Sequence, residues 1–176
     1  LCVEKTRAAG VDPVAIDVFG HYHRLCRDGA TGIIDEDTIR PLLDPPMLDA
    51  VGVPESAAVE ALGQTAIIKL NGGLGTSMGL DAAKTLLPVR DGKNFLDILV
   101  AQVVHARSAY GARLPLLFMN SFRTRADTLA HLARYPDLRV DGLPLDFLQN
   151  REPKLRVDDL APVSWPADPE LEWCPP

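Results

Sequence analysis

"LNGGLGTSMG", Leu70 to Gly79, follows the apolar run "TAIIKL" and precedes "LDAAKTLLPV". The apolar run reads as a buried strand, and Gly72, Gly73, Gly75 and Gly79 place bare backbone directly after it. Counting excludes two phosphate loops. A dinucleotide fingerprint, Gly-x-Gly-x-x-Gly, started at Gly73 and Gly75 would need a third glycine where Met78 stands. A P-loop ending at Lys84 and Thr85 would need glycine at Ala83, and Gly79 lies one position past the place of its first glycine. The physical content survives both mismatches. Glycines let backbone N–H groups crowd an anion, Thr76 and Ser77 add hydroxyl donors, and Lys84 adds a compact positive charge. The alternative is a tight turn with close helix–sheet contact.

Outward from this loop, strand and helix patterns alternate. Strands are predicted at 65–70, 114–119 and 144–148, with helices at about 95–110 and 124–134, the β-α-β-α-β order of a parallel sheet with covering helices. Asn94, with Asp97 three residues on, predicts the start of the first helix, and Gly111 its end. In such a sheet ligands gather beyond the carboxyl ends of the strands, where the glycine loop, Asn120 and Ser121, and Gln149 and Asn150 all fall. Residues 1–63 predict a helical segment, including Pro13–Arg27 and a stretch with an acidic first turn, "IDEDTIRPLL", leading into Ile39, Leu42 and Leu43. Residues 64–176 form the α/β part, irregular and proline-rich after Arg151.

The 176 residues carry a net charge of −6 with 47% hydrophobic positions, which suits a globular chain and argues against a general nucleic-acid binder. No apolar run reaches the roughly 20 residues of a membrane span, so the expected setting is cytoplasmic. Cys2, Cys26 and Cys174 lack the paired spacing of a zinc site or disulfide framework. His21 and His23, two apart on a helix, point to different faces. A calcium loop around Gly32 fails, because Arg27, Gly29 and Thr38 would occupy its first, third and twelfth positions.

The strings "LNGGLGTSMGLDAAKTLLPVRDGKNFLDILVAQV", "PLLFMNSFRT" and "FLQNREPKL" resemble successive motifs of the eukaryotic-type UTP:glucose-1-phosphate uridylyltransferases, the UDP-glucose pyrophosphorylases. The resemblance runs from about Ile67 through Pro176 and more loosely before it. It implies a Rossmann-like nucleotide-diphosphosugar transferase core, present in part, and a reaction of UTP with glucose 1-phosphate that gives UDP-glucose and pyrophosphate with Mg²⁺. It puts Leu70, Asn71, Gly72 and Gly73, with Gly75 and Thr76 of the same loop, on the nucleotide, Lys84 on the triphosphate as the catalytic charge, and Gln149 on the uracil. Neutralising charge on phosphate oxygens needs no protein nucleophile.

Two departures stand out. "GLDAAKT" replaces a cysteine-containing run of the family and puts Asp81 near the phosphate loop. The chain also ends at "EWCPP", where the family continues into a further substrate motif, a metal-binding aspartate and the sugar site, so the expectation is the N-terminal part of a longer protein, inactive alone. Other readings are a nucleotide-binding regulatory paralogue without turnover, an assembly module using residues 1–63, and a pyrophosphorylase for another sugar phosphate.

Overall fold

The computed structural model describes residues 1–174, with Ser77 described in its backbone only. In chain order the elements are α1 (Cys2–Ala8), α2 (Pro13–Arg27), α3 (Glu55–Gly63), β1 (Ile67–Asn71), β2 (Pro88–Arg90), β3 (Lys93–Asn94), α4 (Phe95–Tyr110), β4 (Leu116–Asn120), α5 (Arg125–Leu132), β5 (Asp146–Leu148), β6 (Glu152–Pro153) and β7 (Trp173–Cys174). The chain forms two compact units, Leu1–Pro54 with Glu152–Trp173, and Glu55–Arg151 with Cys174. The division thus falls before α3 rather than after it, and the proline-rich stretch groups with the N-terminal residues.

In the first unit, α2 starts where the Asp12 carboxylate accepts a hydrogen bond from the Val14 N–H at 2.8 Å, with Pro13 in the first turn. Ile16 and Phe19 are its buried side chains. Lys5 donates to the Val163 carbonyl at 2.5 Å, pairs with Glu172, and lies 5.4 Å from the Trp173 ring centroid. The helix expected over "IDEDTIRPLL" does not form. A single 3₁₀ turn spans Glu36–Thr38, Ile39 is extended, and Leu42 and Leu43 are exposed. Pro41 is the reason: it offers no N–H to a helix and disfavours helical dihedrals at Arg40.

In the second unit, β1, β4 and β5 make a parallel sheet in the order β1-β4-β5, with Ile67 beside Leu116, Asn71 beside Asn120, and Asn120 beside Leu148. The crossovers carry α4 and α5, as the alternating pattern predicts. Leu96, Val100 and Val103 of α4, Leu116 and Phe118 of β4 and Leu132 of α5 join one buried cluster with Leu114, Leu138 and Leu145. Burying a side chain the size of Phe118 contributes roughly 1.5–3 kcal/mol. Alternation puts Ile67, Lys69 and Asn71 on the face of Leu116, Phe118 and Asn120, while Ile68 and Leu70 stay 55% and 64% exposed on the other. An Asp-Gly hairpin joins β2 to β3, with Asp91 at φ 52° and Gly92 at φ 69°, the left-handed pair that a type I′ turn requires.

The predicted start of α4 carries more than a cap. Asn94 and Asp97 exchange backbone bonds at 3.0 and 2.9 Å, and Asp97 Oδ1 also accepts from Tyr135 Oη at 2.7 Å and Arg134 Nη2 at 2.9 Å, with His131 Nε2 at 2.6 Å. Burial alone pushes the Asp97 carboxyl up. Hydrogen bonds from Tyr135, the Asn94 N–H and His131 outweigh it, and hold the group well below the usual carboxylate range. A carboxylate whose pKa is lowered by folding stabilises fully above its unfolded value of about 3.9 and loses that contribution as pH falls toward the folded value. Asp97→Ala is therefore expected to lower the unfolding free energy by about 2–3 kcal/mol at neutral pH. Denaturant titration of both proteins should show the gap closing below about pH 4; a constant gap from pH 7 to pH 3 would contradict the assignment.

Candidate functional site

The carboxyl ends of β1 and β4 are joined by buried polar side chains. Asn71 Nδ2 donates to Asn120 Oδ1 and to Thr128 Oγ1, each at 2.8 Å, and Asn71 Oδ1 accepts from Thr85 Oγ1 at 2.6 Å. Thr124 Oγ1 donates to the Asn71 carbonyl at 2.7 Å, and the Ser121 N–H donates to Thr124 Oγ1 at 3.0 Å. Asn120 Nδ2 reaches the Asp146 carboxylate at 3.2 Å, which also accepts from Arg125 Nε at 2.7 Å. Asn120 and Ser121 are fully buried and serve this internal network, so they do not form the open polar edge their strand-end position suggests. The Gln149 N–H donates to the Asn120 carbonyl at 2.9 Å, which sets that residue at the end of β5.

The glycine loop folds back on this platform. Leu74 bridges Ala83, with Gly75 N–H donating to the Ala82 carbonyl and Lys84 N–H to the Gly73 carbonyl, both at 2.9 Å. Its glycines have different tasks. At Gly75 an added Cβ would meet Leu80 Cβ at 2.9 Å and the Leu80 carbonyl at 3.3 Å, and its carbonyl accepts from the N–H groups of Met78 and Leu80. This glycine lets the loop close. At Gly72 a Cβ would run into the Gln149 carboxamide, Oε1 first, then Cδ and Nε2 at 3.0 Å. At Gly73 a Cβ would meet nothing within 4 Å.

Beside the open edge of β1 lies a cavity of about 430 Å³, bordered by Lys69, Leu70, Asn71, Gly73, Met78, Lys84, Thr85, Leu87 and Phe95. Two lysines and no acidic side chain are among these residues, so the cavity favours an anion. Lys84 has no ion-pair partner among the described residues. Of the predicted residues, Leu70, Asn71, Gly73 and Lys84 border this cavity; Gly72, Gly75, Thr76 and Gln149 do not. The Asn71 amide is already committed to its neighbours, and the Ser77 hydroxyl lies outside the described residues. Gln149 Nε2 is buried without a hydrogen-bond partner among the described residues. Asp81 sits 3.8 Å from Arg123 in an exposed pair worth little.

Sequence reading passed over Lys69 and Thr85. Lys69 had a signal, being the one charged residue inside an apolar strand and in phase with Asn71. A larger cavity of about 500 Å³, in the first unit, is bordered by His23, Arg24, Arg27 and Asp159 among others; it mixes charges and holds none of the predicted residues.

The family model described as UTP--glucose-1-phosphate uridylyltransferase matches residues 17–176. Proteins bearing that name are similar to this chain: one from Saccharomyces cerevisiae is 41% identical over 119 residues, 67% of this chain and 23% of that protein. Another, from Solanum tuberosum, is 33% identical over 145 residues, 82% and 28% respectively. Among solved structures, the UDP-glucose pyrophosphorylase from Leishmania major is 41% identical with a TM-score of 0.89, over 99% of this chain and 36% of that one. The UDP-glucose phosphorylase of Trypanosoma brucei is 40% identical with a TM-score of 0.84, over 99% and 37%. The chain spans about a quarter of the length of the curated relatives it matches.

The loop geometry sorts its glycines by experiment. Gly75→Ala should destabilise the chain by about 1–3 kcal/mol through overpacking against Leu80. Gly73→Ala, opening onto free space, should change stability by no more than about 1 kcal/mol. Thermal or denaturant unfolding of the two variants checks this, and equal losses would contradict the division of roles.

Proposed function

The chain belongs to the UTP–glucose-1-phosphate uridylyltransferase family, and on that footing we propose that it forms the nucleotide-binding part of an enzyme that makes UDP-glucose and pyrophosphate from UTP and glucose 1-phosphate. The observation that carries the reading is the cavity beside β1, where Lys84 and Lys69 lie together with the exposed backbone of Gly73 and no opposing carboxylate. In this reading β1, β4 and β5 are part of a Rossmann-like sheet, and the triphosphate lies along the glycine loop. Leu70 and Gly73 border the nucleotide, Asn71 holds the strand end, and Gly72 lies under the base with Gln149. Gly75 and Thr76 shape the loop.

Attack of the sugar phosphate on the α-phosphorus of UTP forms one P–O bond and breaks the bond to the leaving pyrophosphate, while charge spreads over non-bridging oxygens. Lys84 stabilises that charge as a fixed ammonium. The Gln149 amide nitrogen, buried and unpartnered among the described residues, is a donor that a uracil carbonyl would satisfy, relieving a cost of about 1–3 kcal/mol. Mg²⁺, implied by the resemblance, finds no cluster of three or more His, Cys, Asp or Glu side chains among the described residues. The residues here do not make a metal site, and no step is routed through the ion. A cytoplasmic setting is supported by three free cysteines and by the lack, among the described residues, of any helix long and apolar enough to cross a membrane.

The test is substitution of Lys84 in a protein competent for turnover. Lys84→Ala is expected to lower kcat by roughly 10²–10³-fold, the loss typical of one well-placed electrostatic stabiliser, and Lys84→Arg not to restore it. A change of less than about threefold in kcat/KM would mark Lys84 as a solvated surface lysine and overturn the reading.

A further inference from the structure

We propose that Thr85 is the positioning residue for Lys84, fixing where the ammonium stands through one hydrogen bond to the end of β1. The inference rests on the reading that Lys84 meets the triphosphate. Lys84 and Thr85 share one 3₁₀ turn, Lys84–Leu86, and both border the cavity. That turn is held at two points. The Lys84 N–H bonds the Gly73 carbonyl at 2.9 Å, which ties it to the loop, and Thr85 Oγ1 bonds Asn71 Oδ1 at 2.6 Å, which ties it to the sheet.

The direction of the second bond is set by its surroundings. Thr128 Oγ1 gives its one hydrogen to the Thr124 carbonyl at 2.7 Å, so toward Asn71 it accepts. Asn120 turns its own amide nitrogen to Asp146, so its oxygen also accepts from Asn71. Both amide hydrogens of Asn71 are thereby spent, its oxygen must face Thr85, and Thr85 must donate. A hydroxyl has one hydrogen, and that of Thr85 is already used. Although Thr85 borders the cavity, its hydroxyl has no proton for a phosphate oxygen. The effect of that hydroxyl on an anion passes through the turn it anchors, and so through its neighbour Lys84.

Thr85→Val keeps the shape and removes the donor, leaving Asn71 Oδ1 without the side-chain partner it has here and releasing the sheet-side anchor of the turn. The experiment is calorimetric titration, in the same turnover-competent protein used to test Lys84, with UTP and, separately, with uridine, which lacks phosphate. Thr85→Val is expected to weaken UTP binding about tenfold, the size of one lost hydrogen bond, and to leave uridine within about twofold. Thr85→Ser should bind both like the parent. In a Lys84→Ala background, Thr85→Val should add no further loss, because the group it positions is gone. Should Thr85→Val not fold, Thr85→Cys, whose thiol is a weak donor, carries the same comparisons.

UTP binding within twofold of the parent would overturn the proposal, whatever happens to the melting temperature. So would equal losses for UTP and uridine, or an undiminished loss in the Lys84→Ala background. If Lys84→Ala itself leaves UTP affinity unchanged, the cradle reading fails; if it weakens UTP while Thr85→Val does not, the positioning role alone fails.

Discussion

The amide of Asn71, buried against Asn120 at 2.8 Å, holds the site end of the sheet together. Strands β1 and β4 are joined along their length by backbone bonds, but at their carboxyl ends the chain must leave the ladder. A loop leaving there without support would abandon buried polar groups. The paired asparagines close that gap, and Thr85, Thr124 and Thr128 complete it with bonds of 2.6–2.8 Å. Each such bond adds only about 0.5–1.5 kcal/mol net, while each partner removed leaves a buried group costing about 1–3 kcal/mol. The network is therefore worth more as a constraint on geometry than as a source of stability.

From that constraint follows the form of the glycine loop. Its return through Ala83 to Lys84 is pinned to Gly73 on one side and to Asn71 on the other. The glycines answer three separate demands: space for Leu80 at Gly75, space for the Gln149 carboxamide at Gly72, and an open approach at Gly73. Bare backbone is needed partly to build the loop and partly to leave one side of it free. The tight turn is thus compatible with the anion cradle proposed for the same stretch, because closing the loop leaves Gly73 open.

Much of the fold was legible in the sequence because its signals are local. Short apolar runs bounded by turn residues gave three strands, and the Asn94 box and Gly111 bounded α4 at both ends. The helix expected at Ile34–Leu43 failed for an equally local reason, Pro41, which outweighs the acidic first turn. The site was less legible because a polar residue at a strand end can face either way. Asn120 and Ser121 were expected to face a ligand and are buried. Alternation with Leu116 and Phe118 does place Asn120 on the core face, so half of that answer was present in the pattern. Thr85 could not be weighed without knowing that the loop returns to β1, whereas Lys69 was marked by its charge inside an apolar strand.

The central claim is that one pinned loop, not a scattered surface, receives the triphosphate. Backbone amide spectra during titration with UTP test it most directly. The account predicts that the largest and earliest shifts fall at Gly72, Gly73, Lys84 and Thr85, with the α2 amides near His23 and Arg24 unmoved. Shifts centred on that first-unit cavity, or none at saturating UTP, would contradict it.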